Sequence, residues 1–469
     1  MSLFSLAAAL SLSVCAVDVR EIPLLDPDAR VFPVQIDADG EADLWVQSGR
    51  DVRIHYSNQF VTEFSFSDSD SAYDVYDIDA DGASEVIVIE GSKIVSLELS
   101  PGEAPARQVL FEADSTYALM SGTPSPQVFV SPYLDAPAIV LPHATGVRIY
   151  RLTGELIEEH GYAAGDGTDS DRLYWSPSWV QEYEDRGTHW TQVIATTPRE
   201  LPPSFPLESD STQSGALIND LTNPTADSDF TTLTENSGPY AGEWYASLLR
   251  DDQTARQYVV YRSDGSGSTL VHLRTVSGDA GIHERSESKM GPIRRYPGML
   301  FKQEDEGWLT KAYTYNPDFN GDGYFDLVLW DAPRPGVSID SLVRTVVGRS
   351  WPVRIAIHLY VPDNARYDPK PAGMISAKGP INFFLNRNPV ANIAMVDVDG
   401  DGLTDLGFGT EPNNYHLWLA ADGFSRDPDW THTFGEPIKG VEFSADLSGK
   451  GRTSILLRGE KNLYLLQSR

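Results

Sequence analysis

The segment DFNGDGYFDLVLW, residues 318–330, decides the fold. Oxygen-bearing side chains occupy alternate positions in its first half, a glycine follows, and a short apolar run ends it. Apolar runs of about four to eight residues flanked by Gly, Asp and Asn are typical of β-strands. The segment therefore predicts a tight acidic loop that leads directly into a buried strand.

This unit recurs through the chain. Three further copies keep the acidic spacing and the glycine: DVDGDGLTDLGFG (397–409), DIDADGASEVIVI (77–89) and QIDADGEADLWV (35–46). Weaker copies keep part of the loop or only the strand after it: ADLSGKGRTSILLR (445–458), EYEDRGTHWTQVIAT (182–196), LLRDDQTARQYVVY (248–261) and SPYLDAPAIVL (131–141). Units this short cannot bury both faces alone, so they must stack on one another.

Evenly repeated four-stranded antiparallel units close most naturally into a β-propeller. The sequence therefore predicts an all-β fold, a β-propeller with eight blades, or with seven if the weak unit around Thr191 is not a blade. One propeller is expected over residues 17–469, with insertions at about 200–243 and 331–350.

The two ends of the chain predict how the ring closes. The last unit offers only three strands, near residues 441–445, 453–457 and 463–467. Residues 17–25 read as a further strand that precedes the first loop. Pairing of this strand with the last one would cover an open sheet edge, which unpaired would invite aggregation.

The acidic loops have the chemistry of a site for a hard cation. Asp318, Asn320 and Asp322 alternate, Gly323 permits a chain reversal, and Asp326 follows as the strand begins. Oxygen ligands without His or Cys suit Ca²⁺. Helical calcium loops need an acid at position twelve, whereas Leu329 stands there in this loop. The pattern therefore indicates calcium loops that lead into strands.

This repeated pattern resembles the FG-GAP/VCBS repeat of integrin-α-like propellers over about residues 31–467. The resemblance implies Ca²⁺ in the loops, bound in a structural role. The implied ligands are Asp318, Asn320, Asp322 and Asp326; Asp397, Asp399, Asp401 and Asp405; Asp77, Asp79, Asp81 and Glu85; and Asp37, Asp39 and Asp43. Gln35 replaces an acid in the last of these loops, so three sites are expected and the fourth is in doubt. The alternative is that all four are solvated acidic turns, in which Asp and Gly are common.

The N-terminus predicts export. Residues 1–16 contain an apolar run of signal-peptide length, too short to span a bilayer, with small residues before Val17. No Lys or Arg precedes Arg20, and a lipoprotein anchor on Cys15 is the weaker alternative. The expected location is secreted, periplasmic or at the cell surface, and no transmembrane segment is expected.

Composition limits the partners. The 469 residues include 36 Lys+Arg and 68 Asp+Glu, a net charge of −32, which argues against nucleic-acid binding. A basic stretch nevertheless stands out: Arg285, Lys289, Arg294, Arg295 and Lys302, with Tyr296 among them. We interpret Arg294, Arg295 and Tyr296 as candidate ligand-binding residues for an anion such as an acidic glycan. The alternative is that these cations neutralise neighbouring blades. The aromatic group Tyr174, Trp175, Trp179, Tyr183 and Trp190 is either blade core or a sugar-stacking surface.

No catalytic motif is recognisable, and the nine His residues show no metal or triad spacing. The favoured function is a calcium-binding β-propeller that acts as a binding, adhesion or scaffold module for a protein or glycan partner. The alternative is a calcium-dependent polysaccharide lyase that acts on a uronate-containing polysaccharide. Some polysaccharide lyases resemble this repeat type. A purely structural assembly module is the third hypothesis.

Overall fold

The computed structural model describes residues 17–115, 123–127, 129–133, 136–143, 146–161, 179–185, 188–194, 205–206, 231–252, 255–277, 281–283, 287–300, 317–331, 350–380, 393–409, 411–421, 423–424 and 427–468. Their regular structure is β-strand throughout, apart from one 3-10 turn at Pro362–Asn364. None of them forms a helix long and apolar enough to cross a bilayer. The signal peptide predicted at 1–16 and most of both predicted insertions lie outside these residues.

The chain divides into two compact units. The first comprises Leu24–Ala226 with Leu447–Gly449, and the second comprises Met1–Pro23, Asp227–Asp446 and Lys450–Arg469. Strand β1 (Val17–Pro23), at the beginning of the described chain, belongs to the second unit.

The described part of the first unit consists of antiparallel meanders. One sheet contains β2 (Arg30–Val34), β3 (Asp43–Ser48), β4 (Asp51–His55) and β5 (Val61–Ser65). The next contains β6 (Asp70–Tyr76), β7 (Glu85–Glu90), β8 (Lys93–Glu98) and β9 (Ala106–Glu112), with the short β10 (Ser125–Pro126) parallel to β6. The third contains β11 (Val130–Tyr133), β12 (Ala136–His143), β13 (Gly146–Arg151) and β14 (Leu156–Gly161). A three-stranded sheet contains β15 (Trp179–Asp185), β16 (Thr188–Ile194) and β17 (Phe205–Pro206).

The second unit repeats the arrangement. Its largest sheet contains β18 (Thr231–Glu235), β19 (Gly242–Asp252), β20 (Ala255–Ser263) and β21 (Ser268–Ser277), with β22 (Ser288–Met290) and β23 (Arg294–Pro297) both on β21. The next contains β24 (Met299–Leu300), β25 (Leu327–Asp331), β26 (Ser350–His358) and β29 (Gly373–Pro380), and β27 (Tyr360–Val361) pairs with β28 (Arg366–Tyr367) as a ribbon. A third contains β30 (Ile393–Val396), β31 (Asp405–Phe408), β32 (Asn414–Trp418) and β33 (Trp430–Thr433).

The last sheet closes as predicted. Its order is β1, β36 (Asn462–Ser468), β35 (Ser454–Arg458) and β34 (Gly440–Ala445). Strand β1 runs antiparallel to β36 over its whole length, with Val17 opposite Ser468 and Pro23 opposite Asn462. Ile22 is 1% exposed, so the borrowed strand contributes to the core as well as covering the edge.

Apolar side chains of successive sheets pack together within each unit. In the first unit Trp45 of β3 is fully buried and stacks on Tyr73 of β6 with ring centroids 5.1 Å apart. In the second unit Ile355 and Ile375 of one sheet share a cluster with Leu406 of the next. Short sheets therefore bury their faces against their neighbours, as the repeat requires.

The all-β class and the blade-type topology of the sheets, mostly four antiparallel strands in chain order, confirm the predicted fold class. The number of blades stays a prediction. Strands β18 and β19 begin within the predicted insertion at about 200–243. Leu233 and Trp244 anchor these strands in the core, at 3% and 0% exposure.

Candidate functional site

The acidic loops lie where one strand of a sheet ends and the next begins. Residues 35–43 connect β2 to β3, 77–85 connect β6 to β7, 397–405 connect β30 to β31, and 318–326 precede β25. The sixth residue of each loop is a glycine with positive φ, for example 78° at Gly323 and 85° at Gly402. Only glycine adopts this conformation without strain, so the sequence specifies the reversal at this point.

The first carboxylate of each full loop organises the loop backbone. In the loop at 318–326, the N–H groups of Asp322 and Gly323 donate to the two oxygens of Asp318 at 3.2 and 2.8 Å. The corresponding bonds are Asp81 and Gly82 to Asp77 at 3.2 and 2.9 Å. In the loop at 397–405 the Gly402 N–H donates to Asp397 at 2.9 Å, and the other oxygen accepts from Gly400, one residue earlier than in the other two loops, at 2.6 Å. The three loops thus share one local frame around their first acid.

The third and fifth side chains follow the same rule. In the loop at 397–405 the Asp401 N–H donates to Asp399 Oδ1 at 3.2 Å, and the Leu403 N–H donates to Asp401 Oδ1 at 2.8 Å. The loops at 77–85 and 318–326 repeat both bonds at 2.8 to 3.2 Å. Each fifth residue is exposed, and the first is half-buried, so these side chains surround a position open to solvent.

Carboxylate oxygens approach one another closely in two of these loops. One oxygen from each of Asp77, Asp79 and Asp81 lies within 4.8 Å of the others. The same distance holds for Asp397, Asp399 and Asp405. Oxygens that share one Ca²⁺ at about 2.3–2.6 Å are separated by at most about 5 Å. Both groups therefore fit a single calcium ion. Asp318, Asp322 and Asp326 of the third loop do not form such a group among the described residues.

The ninth residue has a second role that the sequence did not indicate. Asp405 is 1% exposed, and its two oxygens accept from the N–H groups of Val398 and Ala420, both at 2.9 Å. Asp326 accepts from Phe319 and Tyr360 in the same way at 2.8 and 2.9 Å, and Asp43 accepts from Ile36 and Ser57 at 3.1 Å each. Glu85 accepts from Ile78 at 3.0 Å. The predicted ligand is thus also the residue that fastens the loop to the sheet.

The loop at 35–43 departs from the others at its first position. Gln35 Nε2 donates to the Asp37 carbonyl at 2.5 Å, where the full loops have a carboxylate that accepts from two amides. Asp39 instead accepts from the Ser57 hydroxyl, which lowers the pKa of Asp39, while burial raises the pKa of Asp37. This loop retains fewer acidic oxygens for a cation, in line with the doubt that the sequence raised about it.

The degenerate loop at 446–454 keeps part of the fold of the full loops with fewer acids. In residues 446–454, the N–H groups of Lys450 and Gly451 donate to the two oxygens of Asp446 at 3.3 and 2.7 Å. The frame around the first acid therefore persists although Ser448 and Lys450 stand at the third and fifth positions, where two of the full loops have acids. Acids at these two positions are not required for the loop conformation.

Successive loops of the second unit are bonded to one another. The Thr404 N–H donates to the Asp318 carbonyl at 2.9 Å, and the Asp318 N–H donates to the Thr404 hydroxyl at 3.0 Å. The Thr453 N–H donates to the Asp397 carbonyl at 2.7 Å. Loops of neighbouring sheets are therefore hydrogen-bonded directly to one another.

Burial and mutual repulsion perturb the acids. Burial raises the pKa of Asp326 and of Asp405 to about 7, with added repulsion from Asp318 and Asp322 in one loop and from Asp399 and Asp401 in the other. Burial, followed by repulsion from Asp401, also raises the pKa of Asp399. A bound cation would offset the cost of ionising these buried, mutually repelling carboxylates.

In chelator, the melting temperature of the protein is expected to depend on pH. The folded chain holds protons on Asp326 and Asp405 up to about pH 7, whereas unfolded aspartate loses its proton near pH 4. The folded state binds more protons in this interval, so these two groups should make the melting temperature fall as pH rises from about 5 to about 7. Thermal melts in chelator would show the trend, and Asp405→Asn should make it shallower. Equal slopes in both proteins would contradict the assignment.

The predicted basic stretch divides between two faces of β23. Arg294 is exposed and Tyr296 is buried, and both line a cavity of about 300 Å³. Arg295 points elsewhere: it forms an ion pair with Asp264 at 2.6 Å and donates to the Ser266 hydroxyl at 2.6 Å. Successive strand residues face opposite sides, so Arg295 does not join the other two.

Other predicted residues are only partly described. Trp179 and Tyr183 lie on β15, and Trp190 lies on β16. Tyr174, Trp175, Arg285 and Lys302 lie outside the described residues. The cavity also includes Arg366, which sequence reasoning missed because it lies far along the chain from the basic stretch and in no motif.

No protein-family model matches the chain, and no curated protein matches it, so membership of the FG-GAP/VCBS family stays a prediction. Solved structures that align with it include "Crystal structure of BBS1N in complex with ARL6DN, soaked with mercury", at 11% identity, TM-score 0.29 and coverage of 97% of this chain and 98% of that one. A second is "Streptogramin B lyase structure", at 10% identity, TM-score 0.26 and coverage of 97% and 98%. A third is the WD40 domain of SCAP from fission yeast, at 8% identity, TM-score 0.28 and coverage of 96% and 94%. Similarity this low supports no argument about fold or function.

Proposed function

We propose that the protein is an exported β-propeller whose three full acidic loops bind Ca²⁺ as a structural ion and whose role is to bind a protein or glycan partner. The loops at 77–85, 318–326 and 397–405 are the proposed sites, and the loop at 35–43 is a weaker fourth candidate.

The comparison with the loop at 446–454 carries the proposal. That loop keeps the hydrogen bonds around Asp446 without an acid at its third or fifth position, which are Ser448 and Lys450. The acids at the third and fifth positions of the full loops, where only Asn320 is uncharged, therefore add repulsion without being needed for the turn. A bound cation would account for oxygen ligands at these positions in all three loops.

Donor chemistry selects calcium among hard cations. Each full loop offers four side chains that bear carboxylate or amide oxygens, and an ion with six to eight oxygen ligands can use them together. Mg²⁺ keeps several of its waters and prefers one or two carboxylates. The proposed ion would be held by residues from both ends of each loop and would stabilise it. Hydrogen bonds such as the one from the Thr404 N–H to the Asp318 carbonyl would couple this stabilisation to the next sheet.

A calorimetric titration of chelated protein with Ca²⁺, combined with thermal melts, tests this proposal. We expect three sites and a marked rise in melting temperature, since each site at about 100 times its dissociation constant adds about 2.7 kcal/mol. Asp401→Ala should reduce the stoichiometry by one. Arg452→Ala, a change outside the proposed ligands, serves as the control and should leave three sites.

Absence of heat and of any melting shift would contradict the calcium assignment. Equal affinity for Mg²⁺ would contradict the choice of ion. The binding role has its own test: release of an ultraviolet-absorbing unsaturated uronide from polygalacturonate would contradict it and favour the lyase alternative.

A further inference from the structure

The cavity in the second unit has an enclosed, largely apolar floor. Residues from β20, β21, β22 and β23 line it together with the ribbon β27–β28. Val271, Tyr296 and Tyr367 are buried, at 2%, 6% and 2% exposure. Its volume of about 300 Å³ lies at the lower end of the range for small-molecule sites and suits one sugar-sized group.

Three cations converge on this cavity from separate elements. Lys289 lies on β22, Arg294 on β23 and Arg366 on β28, and all three are exposed. None of the described lining residues is acidic, although the chain has 68 acidic and 36 basic residues. None of the three forms an ion pair with any acid in the described part of the chain. A cluster of three cations in a chain with a large negative net charge indicates a recognition site.

Among the described lining residues, only these three side chains are charged at neutral pH. His272 also lines the cavity, but burial lowers the pKa of His272 to about 4, so its ring is uncharged at neutral pH. Two arginines and one lysine therefore give the lining its positive charge at neutral pH. Guanidinium groups suit a planar carboxylate, which they can bind through two parallel hydrogen bonds.

Hydrogen bonds hold the walls in place. The Tyr296 hydroxyl donates to the Tyr367 carbonyl at 3.2 Å and joins β23 to the ribbon. The Gly291 N–H donates to the Leu273 carbonyl at 2.7 Å, and the Tyr240 hydroxyl donates to the Gly291 carbonyl at 2.8 Å. A cavity with fixed walls loses little entropy when a ligand binds.

Neutral polar groups also line the cavity. Gln257, Thr275 and Asn364 line the cavity, and the Tyr360 hydroxyl donates to Gln257 Oε1 at 3.1 Å, which fixes that amide. Amide and hydroxyl groups of this kind bind sugar hydroxyls, whereas a simple inorganic anion would use only the cations. Leu273 and Met290 add apolar surface for the faces of a sugar ring.

We propose that this cavity binds a single uronate residue of an acidic glycan, with its carboxylate held by Arg294 and Arg366 and its hydroxyls by the neutral polar groups. The inference rests on the binding role proposed above and names its ligand class. The cavity shares no residue with the acidic loops, so it stands or falls independently of calcium.

Titration with trigalacturonate tests the proposal. Arg294→Ala and Arg366→Ala should each weaken binding about tenfold, because each removes one side of a charge-assisted contact. Arg295→Ala is the matched control, on the same strand but paired with Asp264, and should change the affinity less than twofold. The methyl ester of the same trisaccharide should bind at least tenfold more weakly, since it lacks the carboxylate charge.

Several outcomes would overturn the proposal. They are equal loss in Arg294→Ala and Arg295→Ala, undiminished binding of the methyl ester, or inorganic phosphate competing as well as the sugar acid. Titrations in chelator and in calcium separate the two proposals, because uronate also binds Ca²⁺ in solution. Sugar binding without calcium binding would leave the cavity supported and the loop assignment wrong, and calcium binding without sugar binding would do the reverse.

Discussion

Replacement of Asp405 by alanine is expected to destabilise the protein by about 2–4 kcal/mol even in chelator. Its carboxylate accepts from the buried N–H groups of Val398 and Ala420, and each amide left without an acceptor costs about 1–3 kcal/mol. Loss of a buried carboxylate with a pKa raised to about 7 offsets part of this cost. The expected result is a lower midpoint in urea at an unchanged slope.

Asp401→Ala separates this structural role from calcium binding. Asp401 is exposed, and its contact with the Leu403 N–H lies at the surface, so the substitution should cost less than about 1 kcal/mol in chelator. In calcium, both variants should lose the stabilisation that this site contributes. Equal stability of Asp405→Ala and wild type in chelator would show that the two backbone contacts are unimportant.

The sequence predicted the loops and strands well because each depends on local spacing. Alternating oxygens before Gly323 and Gly402 specify the turn, and the strand after each loop begins where the apolar run begins. The pairing of β1 with β36 was also predictable, since the last unit lacked one strand. These features can be predicted from the residues adjacent in sequence and from the number of strands in each unit.

Contacts between distant segments were not predictable in this way. Ala420 donates to Asp405 from the next turn of the sheet, and nothing in its sequence marks that amide. Arg366 joins Lys289 and Arg294 only because the ribbon folds against β23. The separation of Arg294 from Arg295, by contrast, follows from strand alternation once β23 is known to be a strand.

A buried ion pair beside the cavity gives the second large expected effect. Arg274 is 1% exposed, and its Nη1 donates to Glu235 Oε1 at 3.1 Å. Its Nε and Nη2 atoms have no hydrogen-bond partner among the described residues. Glu235→Ala removes the carboxylate that compensates this charge, and loss of one partner of a buried pair typically costs about 3–5 kcal/mol. We expect a loss of this size in urea unfolding.

The companion substitutions decide whether the effect comes from the pair. Arg274→Met together with Glu235→Ala removes both charges and refills the volume with an apolar side chain, so it should recover most of the stability that Glu235→Ala loses. Arg262→Met is the matched control, because Arg262 is a half-buried arginine of the same sheet. It lies over the Trp244 ring at 4.3 Å and donates to the Ala241 carbonyl at 2.7 Å. This substitution should cost about 0.5–1 kcal/mol. Additive losses in the double variant would show that Arg274 is tolerated without Glu235, and that the guanidinium is compensated by groups other than this carboxylate.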